Sequence, residues 1–119
     1  MKRLIRSAVL LLSMLSAHAS TYISGVVGMA SWYGPQHHGR KTASGQRFNE
    51  HDLTAASPTL PFGTRVHVTF LRTGKSVDVR ITDRGPWHKH RILDLSEEAA
   101  NVIGLKPFGV GRVKVEVLN

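Results

Sequence analysis

Hydrophobic and polar residues alternate most clearly in two neighbouring segments near the middle of the chain. In residues 65–71, RVHVTFL, two valines and a phenylalanine share one face, and in residues 76–82, SVDVRIT, two valines and an isoleucine do so. A period of two is typical of strands with one buried face. The RTGK sequence between the segments is turn-forming, so together they predict a β-hairpin.

Shorter apolar segments predict further strands on both sides of this hairpin. Residues 29–34, MASWYG, favour a strand that leads into a long polar loop over residues 34–49. Residues 20–28 are small and apolar, which favours either a tether or a first edge strand. Residues 91–95, RILDL, predict a short apolar strand, and the alternating residues 113–117 predict the last one.

Capping residues predict one short helix and one isolated helical turn. Ser96 is a favourable N-cap, the two glutamates after it suit a first helical turn, and Gly104 suits the C-terminal end. Asn49 is expected to cap a single turn over residues 50–53. Many short strands with one or two short helices indicate a mainly β protein built as a small barrel.

Residues 1–19 have the composition of a secretory signal peptide. Three basic residues precede an apolar run over residues 8–15, and a small-x-small AHA sequence follows. The run is too short to span a bilayer. We therefore expect cleavage before Ser20, a short N-terminal segment over residues 20–28 and a single domain over residues 29–119.

The chain has no cysteine, and its charge is strongly positive. Without cysteine there is no disulfide, no thiolate catalysis and no lipid anchor on an N-terminal cysteine. Loss of the three basic residues of the signal leaves 13 basic residues against 8 acidic ones, a net charge of +5. This charge suits an anionic envelope polymer, or it merely keeps a small protein in solution. Export argues against nucleic acid as a partner.

Asp83 closes the second hairpin strand, on the face that the alternation makes apolar. A carboxylate in such a place is costly to ionise, which suits a group that transfers protons. Alternatively, Asp83 is structural, accepting hydrogen bonds from turn amides and pairing with Arg84. The sequence leaves both interpretations open.

The histidines and the aromatic residues cluster in the loops. No acidic residue stands near the loop histidines at a spacing typical of metal ligands, so neither a metal nor another cofactor is predicted. The aromatic residues either stack on sugar rings or plug the ends of the barrel. These aromatic residues are Trp32, Tyr33, Phe48, Phe62 and Trp87.

Five consecutive motifs resemble the RlpA-like double-psi β-barrel family. They are ASWYG, HGRKTASGQRFN, LTAASPTLPFGTRVHV, GKSVDVRITDRGP and RILDLSEEAA, and the match runs over about residues 29–118. The resemblance implies a mainly β, six-stranded double-psi β-barrel with one or two short helices. It also implies a periplasmic protein that acts as an endolytic lytic transglycosylase on the glycan strands of peptidoglycan. We further expect a monomer without a transmembrane segment or a lipid anchor.

The resemblance also points to site residues, and this chain departs from the family at several of them. Asp83 matches the aspartate that lines the glycan groove of active relatives. Gln46 stands at the family's glutamate position, Ser57 at its histidine position, and Asn49 where an aspartate is common. The residues expected to bind substrate are Arg40, Ser44, Gln46, Asn49, Arg84 and Trp87.

Two functional hypotheses follow from these departures. Glutamine has nearly the shape of glutamate but cannot exchange a proton, and losing general acid catalysis costs about 10²- to 10⁴-fold in rate. Asp83 then carries both proton transfers alone, with Gln46 orienting the substrate. The alternative is a non-catalytic, expansin-like module that binds glycan without cutting it.

Overall fold

Six strands are the main elements of the computed structural model, which describes residues 25–118. They are β1 (Gly25–Trp32), β2 (Thr54–Ala56), β3 (Arg65–Phe70), β4 (Ser76–Asp83), β5 (Arg91–Leu95) and β6 (Gly111–Val117). Each strand is hydrogen-bonded to two others in the order β1-β5-β2-β4-β3-β6, and β6 pairs with β1, so the sheet closes. The predicted six-stranded barrel is confirmed.

The predicted hairpin is present as strands β3 and β4. The two strands are antiparallel, with Val66 opposite Val79 and Val68 opposite Val77. These four side chains are buried in one core cluster that all six strands supply. The alternation in the sequence therefore identified the core face correctly.

Two parallel pairings, β1 with β5 and β2 with β4, join segments that are distant along the chain. Strand β2 lies between β4 and β5, and it is antiparallel to β5. Because of this arrangement, the chain that follows β2 and the chain that follows β4 leave the barrel at the same end. This is where the candidate site forms.

The predicted helix is confirmed as α1 (Glu97–Ile103). The Ser96 hydroxyl accepts a hydrogen bond from the Ala99 amide at 3.2 Å, and Gly104 ends the helix with a left-handed φ of 79°. Two short 3-10 turns, Pro35–His37 and Lys106–Phe108, complete the regular elements of the described chain. No helix within residues 25–118 has the length and apolar character needed to cross a membrane.

The structure differs from the sequence prediction in three places. Strand β1 begins at Gly25, so residues 25–28 form its first half and pair with β6, whereas residues 1–24 lie outside the described residues. Strand β2 was not predicted, because its three residues are all buried and show no alternation. Residues 50–53 form a turn rather than a helical turn, in which the Asn49 side chain accepts from the His51 amide at 2.9 Å.

Candidate functional site

A register shift in the sheet determines where Asp83 lies. Ala55 of β2 pairs with Ile81 of β4, but the next residue, Ala56, pairs with Asp83, so the ladder skips Thr82. Ala55 and Ile81 belong to the core cluster, whereas neither Ala56 nor Asp83 does. Asp83 is partly exposed, and the expectation that it continues the apolar face is wrong because the shift interrupts the alternation.

The carboxylate of Asp83 accepts three hydrogen bonds. Its Oδ1 atom accepts from the backbone amides of Ala43 and Arg84, both at 2.9 Å, and its Oδ2 atom accepts from the Tyr33 hydroxyl at 3.2 Å. A carboxylate can accept about four hydrogen bonds, so one lone pair remains for a further proton donor. These contacts hold the side chain in one orientation.

Arg84 does not form the predicted ion pair with Asp83. Its guanidinium donates to the backbone carbonyl oxygens of Ser57 at 3.1 Å and Leu60 at 2.7 Å, and it lies 4.1 Å from the centre of the Phe62 ring. Arg84 therefore ties the segment after β2 to the segment after β4. Only its backbone amide reaches the Asp83 carboxylate.

The loop over residues 42–46 packs along the end of β4. The Ser44 amide donates to the carbonyl oxygen of Thr82 at 3.2 Å, and Arg80 donates to the side-chain oxygen of Gln46 at 3.3 Å. Gly45 has a φ of 92°, a conformation that side chains disfavour, and it allows the tight turn. Gln46 and Asp83 are thus brought to the same strand, although 37 positions separate them in the sequence.

Of the remaining predicted site residues, one is hydrogen-bonded to Asp83 and three are not. Ser57 follows β2, and its amide donates to the backbone carbonyl oxygen of Asp83 at 3.1 Å, but its buried hydroxyl accepts from the amides of Thr59 and Leu60. Among the described residues, no hydrogen bond or ring contact joins Asp83 to Arg40, Asn49 or Trp87. Trp87 is 76% exposed.

Sequence reasoning treated Tyr33 only as one of the aromatic residues around the loops. Its ring packs edge-on against Phe48, with 5.0 Å between the ring centres, while its hydroxyl donates to Asp83. Burial, followed by the negative charges of Asp83 and Asp94, raises the pKa of Tyr33 far above its ordinary value. The hydroxyl therefore stays protonated as a donor.

The raised pKa of Tyr33 predicts a change in stability at high pH. A group whose pKa is higher in the folded than in the unfolded state stabilises the fold below its unfolded pKa, about 10 for tyrosine, and loses that contribution above it. We expect the wild-type free energy of unfolding to fall between about pH 9 and pH 12 by more than that of Tyr33→Phe. Denaturant unfolding at several pH values across this range measures the difference. An equal fall in the free energy of unfolding with pH for the two proteins would contradict the assignment.

The described residues offer no arrangement suited to a metal ion. Within residues 25–118, no three histidine, aspartate or glutamate side chains converge as a set of metal ligands would. His51 lies 3.6 Å from a carboxylate oxygen of Glu50, and His67 lies 2.6 Å from one of Asp78, so these histidines pair with single acids.

Comparison with known proteins gives a family match over nearly all of the described chain. A family model described as lytic transglycolase matches residues 25–117. A protein of Synechocystis named probable endolytic peptidoglycan transglycosylase RlpA is 59% identical over 91 residues, which are 76% of this chain and 28% of the relative. The endolytic peptidoglycan transglycosylase RlpA of Neisseria meningitidis is 49% identical over 89 residues, 75% of this chain and 37% of the relative. The chain thus spans well under half of these relatives.

Solved structures show the same fold at low sequence identity. The Streptomyces papain inhibitor has a TM-score of 0.65 at 19% identity, covering 82% of this chain and 96% of the inhibitor. An expansin of Clavibacter michiganensis has a TM-score of 0.62 at 21% identity, covering 80% of this chain and 50% of the expansin. With the closed six-stranded sheet, these likenesses confirm the predicted double-psi β-barrel fold.

Proposed function

Because this chain belongs to the lytic transglycolase family, we propose that it acts on the glycan strands of peptidoglycan and cleaves them as an endolytic lytic transglycosylase. The names of the matched relatives support this substrate and this reaction. The observation that carries the proposal is the oriented carboxylate of Asp83. It is held by two backbone amides and a tyrosine hydroxyl beside a loop that contains the Gln46 position.

The proposed reaction needs two proton transfers and no water. A carboxylic acid donates its proton to the glycosidic oxygen as the bond between that oxygen and C1 of the muramic residue breaks. The oxygen of the C6 hydroxyl then bonds to C1, and its proton passes to the carboxylate. The product is a 1,6-anhydro end, and the carboxyl group regains the proton that it gave. One correctly placed residue, Asp83, can therefore serve as acid and then as base.

Gln46 fits a binding role in this scheme. Its side-chain oxygen accepts from Arg80, and its amide group is exposed beside the basic residues of the same loop. The polar loop carries three exposed basic residues, Arg40, Lys41 and Arg47, which we call the basic rim. Its positive charge suits the carboxylates of muramic acid and of peptide stems. We propose that Gln46, with Ser44 beside it, orients the glycan whereas Asp83 carries the chemistry.

A second candidate function is glycan binding without cleavage. The observation that favours it is that both oxygens of Asp83 are already engaged by donors and that no second carboxylate stands at position 46. The buried hydroxyl of Ser57 accepts from the amides of Thr59 and Leu60 and makes no hydrogen bond to the Asp83 carboxylate. In this case the basic rim and exposed aromatic rings such as Trp87 hold the polymer.

Incubation of the purified protein with sacculi distinguishes the two functions. The transglycosylase is expected to release anhydro-muropeptides, detected by mass spectrometry, at a rate that rises with enzyme concentration. Co-sedimentation with sacculi measures binding in the same samples. Binding without release of anhydro products would refute cleavage and leave the binding module.

The proposed site of action is the periplasm. The candidate signal peptide, residues 1–19, lies outside the described residues, and its composition is the support for export. We propose a monomer that works there. Mass measurement of the protein from its host tests export, since the mature chain should begin at or near Ser20 and an intact Met1 would exclude cleavage.

A further inference from the structure

The end of the barrel opposite Asp83 carries exposed apolar and basic side chains next to one another. Strand β3 ends there, β4 and β6 begin there, and the 3-10 turn Lys106–Phe108 lies beside them. Three apolar side chains at this end are exposed by 45% to 47%, and three basic residues around them are exposed as well. We call these six residues the distal patch: Leu71, Arg72, Lys75, Phe108, Val110 and Arg112.

Contacts between its members make the distal patch one continuous surface. The Arg72 guanidinium lies 4.5 Å from the centre of the Phe108 ring, and this ring packs edge-on against buried Phe70 with 5.7 Å between the ring centres. The Leu71 amide donates to the carbonyl oxygen of Arg112 at 3.1 Å. The two phenylalanines and the two arginines line a shallow groove of about 220 Å³. The apolar and the basic groups are therefore held together by the fold.

The charge of this surface is positive throughout. The two segments that form it, residues 71–77 and 104–115, contain five basic residues and no acidic residue. Two of the five pair with glutamates outside these segments. Within residues 25–118, the other three form no ion pair with a carboxylate: Arg72, Lys75 and Arg112. Their charge is available to an anionic partner.

We propose that the distal patch docks onto a membrane surface that contains anionic lipids. Exposed leucine, phenylalanine and valine side chains can enter the boundary between headgroups and acyl chains, while arginine and lysine extend their charged ends to the headgroups. An anionic leaflet attracts each such basic residue. A hydrophilic polyanion would pair with the basic residues but leave the apolar side chains in water, so the combination favours a lipid surface.

Docking through the distal patch leaves the candidate site on the side away from the lipid. Strand β4 begins directly after Lys75 and ends at Asp83, eight residues later, which is about 23 Å along the strand. The protein then contacts a membrane at one end and a polymer at the other. This inference goes beyond the proposed function and does not depend on it.

Sedimentation with lipid vesicles tests the docking. The protein is used as it leaves the cell, with its N-terminus checked by mass, because an uncleaved apolar run over residues 8–15 would itself bind vesicles. It is mixed with vesicles of phosphatidylcholine alone and with vesicles that also contain phosphatidylglycerol. We expect a larger bound fraction on the anionic vesicles, and this fraction should fall as salt is added.

Two variants separate the apolar from the electrostatic contribution. Phe108→Ser should weaken binding to the anionic vesicles by about 10-fold, because the apolar surface of a half-exposed ring is lost. Arg72→Gln combined with Arg112→Gln should weaken it by about 25-fold, about fivefold for each charge. Both arginines are exposed, so this double variant should fold even if Phe108→Ser does not.

The site end of the barrel provides a matched control for each variant. Phe62 is 42% exposed and lies 4.1 Å from the Arg84 guanidinium, as Phe108 does beside Arg72, so Phe62→Ser removes a comparable ring. Arg40→Gln combined with Lys41→Gln removes two charges from the basic rim. Neither control should change the bound fraction by more than about twofold.

The outcomes separate this inference from the proposed function. Absence of binding to the phosphatidylglycerol vesicles would overturn the inference, and so would equal losses in the patch variants and their controls. Selective loss in the patch variants supports it whether or not sacculi are cut. Cleavage of sacculi without vesicles should be the same for the wild type and the double arginine variant of the patch, since these residues lie at the other end of β4 from Asp83.

Discussion

Replacing Asp83 with asparagine should lower the release of anhydro-muropeptides by about 10²- to 10⁴-fold, the usual contribution of general acid–base catalysis. Asparagine keeps one oxygen that can accept from the amides of Ala43 and Arg84, so the end of β4 should remain in place. It cannot exchange a proton with the glycosidic oxygen. The loss should appear in the rate of cleavage, while co-sedimentation with sacculi remains measurable.

Asp78→Asn provides the control for Asp83→Asn, since it makes the same chemical change on the same strand at an exposed position. Thermal unfolding of both variants checks that the barrel is intact. Undiminished cleavage by a folded Asp83→Asn protein would show that Asp83 is not the proton carrier. The proposed mechanism would then have no acid.

Replacing Gln46 with glutamate should raise the rate of cleavage, by up to about 10²-fold if the new carboxyl group takes over one proton transfer. Gln46 is exposed, and Arg80 already donates to its side-chain oxygen, so the new charge gains a cationic partner and need not be buried. The loop should therefore keep its position along β4. The anhydro-muropeptide assay measures the gain directly.

The control for this gain is Gln36→Glu, which adds the same charge at an exposed position of the 3-10 turn that precedes the loop. The double variant Gln46→Glu with Ser57→His restores both family positions. It loses the hydroxyl that caps the turn after β2, which we expect to cost about 1 kcal/mol of stability. If neither variant releases anhydro-muropeptides faster than the wild type, this protein is not a latent transglycosylase that lacks an acid.

Local signals predicted the elements that local interactions form. The alternation in β3 and β4 and the caps of α1 could be recognised in the sequence because each depends on residues close together in the chain. Strand β2 was missed because its partners, β4 and β5, lie further along the chain and cover it on both sides. Its burial therefore has no period that the sequence could show.

The site was predictable only in part for the same reason. The family resemblance pointed to Gln46 and Asp83, and the structure brings both to β4. The register shift that takes Asp83 off the core face and the pairing of Ala56 with Asp94 arise between distant strands. Neither leaves a local pattern, so the contact of Tyr33 with Asp83 could not be derived from the residues around either one.

The pairing of Ala56 with Asp83 is part of a row of paired residues that crosses four strands, and this row has a consequence for cooperativity. Its four members, Ser31, Asp94, Ala56 and Asp83, come from β1, β5, β2 and β4, so all four of these strands must be paired before it forms. A partly unfolded intermediate that retained the β3–β4 hairpin would have Asp83 without its neighbours. Heat-induced loss of the proposed cleavage activity and loss of tertiary structure should therefore share one midpoint, and that activity should report directly on the population of molecules in which these four strands are paired.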